Sequence, residues 1–268
     1  GGYDMGYEAD VCNQVNGVGA GVYMFDADNG DLLWWASSNL AADVNSENSP
    51  NALKVDDMKY SVVSQIKTVD RNNDGLVDHL YFGDLGGQVW RVDLNNTKTL
   101  TDAFAKRAVK ILNLNKTNGS SPRFYTTPSF TIHNGGASGL FATISLGSGD
   151  LSSPMSAESS SGKDNIYVIF DKDVTKANLY QLTDNQLITR NIVIGSSGNT
   201  LAVNTDGNTK TTLARAGWYY PLANKLRILN DTVAIAGDLY VSVFDSSKDL
   251  DALSCSGGVR GESTVEQF

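Results

Sequence analysis

The chain has 268 residues, a mass of 28.7 kDa, a formal net charge of −9 and only 19% charged residues. At about 150 residues per domain, this length gives one large domain or two small ones, with room for a core that needs no disulfide framework. The acidic balance argues against a nucleic-acid-binding or polybasic membrane surface, and no apolar run approaches the roughly 18 residues that span a bilayer.

Short strand-like segments, each followed by turn residues, recur along the chain. The first, Gly21–Phe25, meets Asn29-Gly30, which is a strong hairpin signal, and a return strand covers 32–35. Further strands are predicted at 60–66, 79–82, 88–93, 123–133, 139–146, 165–171, 177–182, 187–194, 200–205, 211–220, 226–229, 232–236 and 238–244.

One segment breaks this pattern. Residues 101–109 start with Thr-Asp and contain good helix formers, so they predict a short surface helix. Long loops are expected at 40–57, 113–122, 147–164 and 245–264.

Four predicted strands share an ending, a phenylalanine or valine followed by aspartate, and the four residues are Asp26, Asp93, Asp171 and Asp245. Degenerate repeats at irregular spacing, with loops inserted between strands, are typical of propeller blades. The sequence therefore predicts an all-β, modified β-propeller. At about 40 residues per blade, a partial ring of roughly four to five blades is expected.

The ends of the chain carry two further expectations. It starts at Gly1 rather than Met, so we expect residues 1–268 to be part of a longer chain. Cys12 and Cys255 lie near opposite ends. They are either two buried thiols or a disulfide, and a disulfide becomes more favourable in a secreted protein.

The strongest motif is residues 70–78, which read DRNNDGLVD. Oxygen-bearing side chains fall at loop positions 1, 3, 5 and 9, glycine falls at position 6, and position 7 can offer its carbonyl. Ca²⁺ takes roughly 6–8 hard oxygens, so a tight loop with alternate inward groups suits it better than Mg²⁺, which retains its waters. The predicted ligands are Asp70, Asn72, Asp74, Leu76 and Asp78.

The motif is not an EF-hand. Tyr81 stands at position 12, where an EF-hand needs a bidentate glutamate, and the residues after Asp78 are strand formers rather than a helical stripe. The sequence therefore predicts a calcium loop set between two strands. The alternative is a polar hairpin without metal.

No catalytic constellation stands out. His79 and His133 are expected to be structural or surface residues. The chain has no nucleophile elbow, phosphate-binding loop or zinc motif, and no carboxylate pair stands out among its many aspartates. We therefore expect a protein that is not an enzyme.

The stretch from Thr68 to Asp93 (TVDRNNDGLVDHLYFGDLGGQVWRVD) strongly resembles the calcium-loop region of the PilY/PilC family of type IV pilus biogenesis proteins. Other segments that resemble the family are Gly1-Gly-Tyr-Asp4, Tyr125-Thr-Thr-Pro128, Gly147-Ser-Gly-Asp150, Asn165-Ile-Tyr-Val-Ile-Phe-Asp171, Gly217-Trp-Tyr-Tyr-Pro-Leu222 and Cys255-Ser-Gly-Gly258.

The resemblance implies a C-terminal modified β-propeller of a secreted, cell-surface protein at the pilus tip. Such a domain would act in pilus assembly, counteract retraction in a calcium-dependent way, and contribute to adhesion and twitching motility. Its partners would be minor pilins of the tip complex and a host-cell or surface receptor, with no nucleic acid and no membrane span. The resemblance also implies calcium as the cofactor of residues 70–78.

Two other functions match part of the sequence. Integrin-like or lectin-like propellers that bind glycans or proteins without a pilus role would carry a similar strand-flanked calcium loop. Residues 26–34 resemble the tryptophan-bearing turns of quinoprotein-type dehydrogenases. Those enzymes commonly carry an adjacent pair of cysteines at the cofactor, and this chain has none.

Overall fold

The computed structural model describes residues 19–38, 52–99, 104–116, 121–155, 164–205, 208–209, 216–249 and 260–268. Within these ranges the regular structure consists of strands and three 3-10 helices, which confirms the predicted all-β class. The 3-10 helices are Gly136–Ser138, Leu179–Gln181 and Asp184–Gln186. None of the helices in this part of the chain is long and apolar enough to cross a membrane. The predicted cysteine pair and the first residues of the chain lie outside the described ranges.

The first sheet contains the predicted hairpin. β1 (Gly21–Phe25) and β2 (Leu32–Ser37) pair antiparallel, and β3 (Ala52–Lys54), inside a predicted loop, joins β2 in parallel. Gly30 closes the hairpin turn at φ +79°, a conformation that glycine adopts without steric cost.

Two antiparallel meanders follow. The first consists of β4 (Lys67–Val69), β5 (His79–Gly83), β6 (Gln88–Leu94) and β7 (Ala105–Asn113). The second begins with β8 (Ser129–Asn134), β9 (Leu140–Gly147) and β10 (Asn165–Asp171). An insertion then carries β11 (Ile192–Ile194), β12 (Thr200–Thr205) and β13 (Asn208–Thr209), and β14 (Gly217–Pro221) returns to pair with β10. The insertion strands link both meanders into one eleven-stranded sheet.

The last sheet is built around one long central strand. Its members are β15 (Leu226–Ile228), β16 (Val233–Ile235), β17 (Asp238–Asp249) and β18 (Arg260–Gln267). β17 pairs antiparallel with each of the other three. Because β18 begins inside a segment predicted to be a loop, that part of the 245–264 loop prediction is wrong.

The strand groups stack face to face. Alternate side chains of a single strand belong to different cores, which shows which groups are neighbours. On β6, Val89 belongs to the core between the two meanders, whereas Trp90 belongs to the core shared with the first sheet. On β10, Ile169 faces the first meander, whereas Val168 belongs to the core shared with the last sheet. Successive side chains point to opposite faces, so β6 and β10 each pack against a core on both faces. The described residues therefore form four stacked, blade-like groups in an all-β, propeller-like fold.

The predicted surface helix at 101–109 is wrong. Residues Ala105–Asn113 are β7, which pairs antiparallel with β6. Alternate residues Arg107, Val109 and Ile111 are buried, which is the two-residue period of a strand. Pairing with β6 and burial of this face override the helical propensity of the Ala-Lys-Arg-Ala segment.

Two predicted strands are also wrong. Residues 60–66 form no strand, although Val62 donates its backbone N–H to the Gly19 carbonyl at 3.0 Å and is buried. Within the predicted strand at 177–182, Leu179–Gln181 forms a 3-10 helix. Each segment has an apolar residue that packs in a core, Val62 in the first and Leu179 in the second. Apolar residues alone do not distinguish a strand from an irregular buried segment.

Candidate metal centre

The predicted calcium loop lies between two paired strands, as expected. β4 ends at Val69 and β5 begins at His79, and these two residues are partners across the antiparallel ladder. Asp78 donates its backbone N–H to the Val69 carbonyl at 2.8 Å, which closes the loop at its base. The loop is therefore a strand-to-strand connection at the outer end of the first meander, not part of a helix pair.

The first half of the loop folds around the Asp70 carboxylate. It accepts backbone N–H bonds from Asn73 at 2.6 Å, Asp74 at 3.3 Å and Gly75 at 2.8 Å. Desolvation acts to raise the pKa of Asp70, but these amide donors outweigh it and hold the pKa below its ordinary value. Asn73 and Gly75 have φ of 61° and 89°, so the chain turns sharply where the motif places Asn-Asp-Gly. Asp70 is thus held as a carboxylate at the centre of the turn.

Asn72 and Asp74 are exposed and bonded to each other. The Asn72 amide donates to Asp74 Oδ2 at 2.9 Å, and the Asp74 backbone N–H donates to Asn72 Oδ1 at 3.1 Å. Leu76, whose carbonyl is a predicted ligand, donates its own N–H to Asp74 Oδ1 at 2.8 Å and is 52% exposed. These three residues lie together on the solvent side of the loop.

Asp78 is buried and ties the loop to the rest of the meander. Its carboxylate accepts the Arg71 backbone N–H at 2.8 Å and the Asn96 amide at 3.3 Å. Its carbonyl accepts the Leu94 N–H at 2.8 Å. Asp78 therefore has a structural role in addition to its predicted role as a ligand.

The predicted ligand oxygens retain unused acceptor capacity. An ionised carboxylate has about four lone-pair sites and an amide oxygen has two. The recorded bonds use three sites on Asp70, two on Asp74 and two on Asp78. Among the described residues, no three His, Cys, Asp or Glu side chains are grouped as they would be around a metal ion. The loop residues thus match a hard cation in donor type and number, while their side chains are engaged with backbone amides.

A buried ionic cluster lies beneath the loop, between the two meanders. The Arg91 guanidinium donates to Asp93 Oδ1 at 2.7 Å and to Asp171 Oδ2 at 2.7 Å, and all three side chains are fully buried. Tyr81 donates its hydroxyl to Asp171 at 3.1 Å. Burial opposes ionisation of Asp93, but the Arg91 charge and the His79 contact outweigh it, so the pKa of Asp93 lies well below its ordinary value.

A row of partners across three strands completes the cluster. His79, Asp93 and Arg107 are register partners on β5, β6 and β7. His79 Nδ1 lies 3.0 Å from Asp93 Oδ1, and Arg107 Nε donates to Asp93 Oδ2 at 3.0 Å. Arg107 also donates to the carbonyls of Leu179 and Leu182, both at 2.7 Å. The cluster therefore holds the insertion after β10 against the first meander.

Arg71 connects the loop to the same insertion. Its guanidinium donates to the carbonyls of Val174 and Lys176, both at 3.2 Å, and lies 5.3 Å from the centre of the Tyr180 ring. The Tyr180 ring stacks on His79 with centroids 6.5 Å apart. The exposed loop and the buried cluster thus share one neighbour, residues 174–182.

The sequence analysis did not identify the buried cluster, in which Asp93 and Asp171 both pair with Arg91, and Asp93 also pairs with Arg107. Part of the signal is in the sequence, because Asp93 and Asp171 both follow the last apolar residue of a predicted strand. The other two, Asp26 and Asp245, instead bond turn amides, from Asp28 and Ser247 respectively, each at 2.8 Å. The shared ending therefore covers two different roles, an ion pair and a turn.

Comparison with solved structures shows the fold. A crystal structure of the Pseudomonas aeruginosa PilY1 C-terminal domain matches with a TM-score of 0.52 and 19% sequence identity. The match covers 84% of this chain and 50% of that chain, so the present sequence spans about half the length of the solved one. No protein-family model matches, and no curated protein sequence does. The chain accordingly has an all-β, PilY1-like propeller fold.

Proposed function

We propose that this chain is the calcium-binding propeller domain of a type IV pilus tip-associated adhesin and assembly factor. The single observation that carries the proposal is the loop at 70–78, set between β4 and β5 of a PilY1-like fold. In this proposal the loop binds Ca²⁺, and the domain supports pilus extension against retraction. Its role is binding and assembly, not catalysis.

The chemistry of the loop supports calcium. Asp70, Asp74 and Asp78 place three negative charges within nine residues, and a divalent cation would relieve their mutual repulsion. Asn72 Oδ1 and the Leu76 carbonyl bring the number of possible protein ligands to five, and water would complete the shell. Binding would require Asn72 to release Asp74 Oδ2, to which it now donates.

The position of the loop supports a switching role. Arg71 lies within the loop and holds the carbonyls of Val174 and Lys176, so ordering of the loop by a cation would also order that insertion. A partner that contacts the insertion would then be bound more tightly when calcium is present. We propose minor pilins of the tip complex as that partner, with a host-cell or surface receptor as a second one.

Two similarities support the proposed pilus role. The motifs from Thr68 to Asp93 resemble the PilY/PilC family, and the fold is similar to that of the PilY1 C-terminal domain. On this basis we propose that the protein is secreted, lies at the pilus tip on the cell surface, and contributes to adhesion and twitching motility.

Calcium binding is tested by thermal unfolding and calorimetric titration of the chain with CaCl₂, MgCl₂ or a chelator. At a calcium concentration 100 times Kd, linkage predicts about 2.7 kcal/mol of added stability, with a smaller gain from magnesium. Asp74→Ala should remove the gain because it removes a proposed ligand. The fold should survive, since the Asp74 side chain bonds only within the loop. Asp28→Ala, an exposed aspartate in the β1–β2 turn, is the matched control and should retain it. Equal melting temperatures of the wild type in calcium and in chelator would contradict the metal assignment.

The pilus role is tested in cells with the intact protein. Asp74→Ala should reduce pilus surface display and twitching, and Asp28→Ala should not. A pull-down with minor pilins, in calcium and in chelator, separates a pilus role from that of a calcium propeller that binds other ligands. Retained calcium binding together with absent minor-pilin capture would contradict the pilus role alone.

A further inference from the structure

An open groove of about 620 Å³ lies between the second meander and the last sheet. Its floor is the outer face of β8, β9, β10 and β14, and its roof is the β16–β17 turn with the C-terminal Phe268. The groove continues the apolar core between these sheets, where Phe170, Trp218 and Phe268 are only partly buried. It is on the opposite face of the second meander from the ionic cluster.

Strand register places the floor residues side by side. Thr131, Thr143 and Phe170 are successive partners across β8, β9 and β10. One row further, Ser145 is the partner of Val168, and Val168 is the partner of Trp218. Since partners on adjacent strands point to the same face, the floor is an ordered surface with a polar end at β8 and an apolar end at β14.

The apolar part consists of aromatic rings in contact. The ring centroids of Phe141 and His133 are 5.7 Å apart, with an angle of 24° between the ring planes. The ring centroids of Phe141 and Phe170 are 5.2 Å apart. Trp218 extends the apolar floor at the β14 end. Partly buried aromatic rings that line a groove offer apolar surface to the C–H face of a cyclic ligand.

The polar part is a cluster of hydroxyls around one imidazole. Thr131 Oγ1 lies 2.6 Å from Thr143 Oγ1 and 2.8 Å from His133 Nε2, which is itself 3.1 Å from Thr143 Oγ1. Each hydroxyl has one donor and two acceptor sites, so the cluster can still accept hydrogen bonds. Asn134 and Asp238 add further polar groups to the lining.

We propose that this groove binds a neutral saccharide, with one pyranose ring against the aromatic floor and its hydroxyls bonded to the Thr131–His133–Thr143 cluster. Among the described residues that line the groove there is no lysine or arginine, which disfavours an anionic ligand. A purely apolar ligand would cover the hydroxyl cluster without bonding to it, which is costly. The volume lies within the range of small-molecule sites, roughly 300–1,000 Å³. The proposal does not depend on the calcium loop.

The test is ligand-observed NMR of the chain with a panel of methyl pyranosides of glucose, galactose, mannose and N-acetylglucosamine, with cyclohexanol as the apolar probe. At least one pyranoside should bind and quench tryptophan fluorescence, and cyclohexanol should bind more weakly. Thr143→Val, which retains shape and strand preference, should weaken binding about tenfold by removing a hydroxyl. Phe170→Leu should weaken it through loss of the ring face. Thr68→Val, at an exposed position of β4 outside the groove lining, is the control and should bind as the wild type does.

Each other outcome overturns the proposal. Binding of cyclohexanol in preference to every pyranoside would indicate an apolar site. Pyranoside binding unchanged by both groove variants would place the sugar elsewhere on the chain. Absence of binding across the panel would remove the site altogether. Thermal unfolding of each variant checks that the fold is retained, and Phe170→Leu provides a second readout if Thr143→Val does not fold.

Discussion

The calcium-type loop and the ionic cluster beneath it both contain aspartates, but their charges are balanced differently. In the loop, Asp70 is half-buried and Asp74 is exposed, and both bond amide groups of their own nine-residue segment. In the cluster, Asp93 and Asp171 are fully buried and meet the same guanidinium, although Asp171 is 80 residues from Arg91 in the chain. The loop residues are neighbours in sequence, and we propose that an external cation balances their charge. The cluster joins residues that are far apart in sequence, and Arg91 and Arg107 balance the charge of its aspartates.

This difference shows why only one of the two regions could carry an exchangeable ion. A buried carboxylate must be paired, because its desolvation is costly without a counter-charge. An exposed carboxylate is solvated by water and can exchange water for a metal ion. Arg91 and Arg107 therefore serve structure, and residues 70–78 are the region that we propose as the ion site.

The largest effect should come from Arg91→Met. Removal of the guanidinium leaves Asp93 and Asp171 buried without their shared partner, which costs about 3–5 kcal/mol in the free energy of unfolding. Urea denaturation measures this loss. Arg190→Met, whose guanidinium makes one long bond of 3.5 Å to a carbonyl, is the matched control and should change stability by less than about 0.5 kcal/mol. Equal losses in both variants would remove the contrast between the cluster and the surface.

Asp84 separates burial from ion pairing. It is fully buried, and its hydrogen-bond donors are neutral: the Trp90 indole and the backbone amides of Gly86 and Gln88. Burial raises the pKa of Asp84 to about 7 despite these bonds. The unfolded chain releases this proton near pH 4 and the folded chain keeps it to about pH 7, so folding takes up a proton between these values.

As pH rises from about 4 to about 7, Asp84 should therefore lower the free energy of unfolding by at most about 1.4 kcal/mol per pH unit. The measurement is the difference in unfolding free energy between wild type and Asp84→Asn across this range. The wild type should lose stability relative to the variant as pH rises. A difference that stays constant would show that hydrogen bonds alone keep Asp84 ionised, as the arginines do for Asp93.

Within the loop, Asp78 and Asp74 should differ when no calcium is present. Asp78→Ala leaves the Arg71 N–H without its carboxylate acceptor and removes one of the two acceptors of the Asn96 amide, which costs about 1–3 kcal/mol. Asp74→Ala affects an exposed site and should cost no more than about 0.5 kcal/mol. Thermal unfolding in chelator measures both. Similar costs would mean that the base and the tip of the loop are equally structural.

The smallest effect should come from an exposed ion pair. Lys54 lies 3.4 Å from Asp56, and both side chains are mostly exposed. Lys54→Met should change the free energy of unfolding by about 0–1 kcal/mol, and less in high salt. A loss comparable to that of Arg91→Met, measured by the same denaturation, would show that exposure does not separate the two kinds of pair.

The strand segments illustrate what sequence could predict. The Gly21–Phe25 hairpin and the strands around β5, β6 and β10 are visible because alternation and turn residues are local signals. The Ala, Lys and Arg residues of β7 favour a helix, and only pairing with β6 makes this segment a strand. β18 pairs with β17 at its polar residues Arg260–Gln267, which carry no apolar pattern that would predict a strand.

The all-β class and the position of the loop at 70–78 can be predicted from the amino-acid sequence, because both depend on residues within a few positions of one another. The meeting of Asp93 and Asp171 at Arg91, and the groove lined by rings and hydroxyls from four strands, depend on the tertiary structure. These arrangements join residues that are distant in the chain. They follow from which sheets stack, and stacking is set by the fit of whole apolar faces, which no single stretch of sequence specifies.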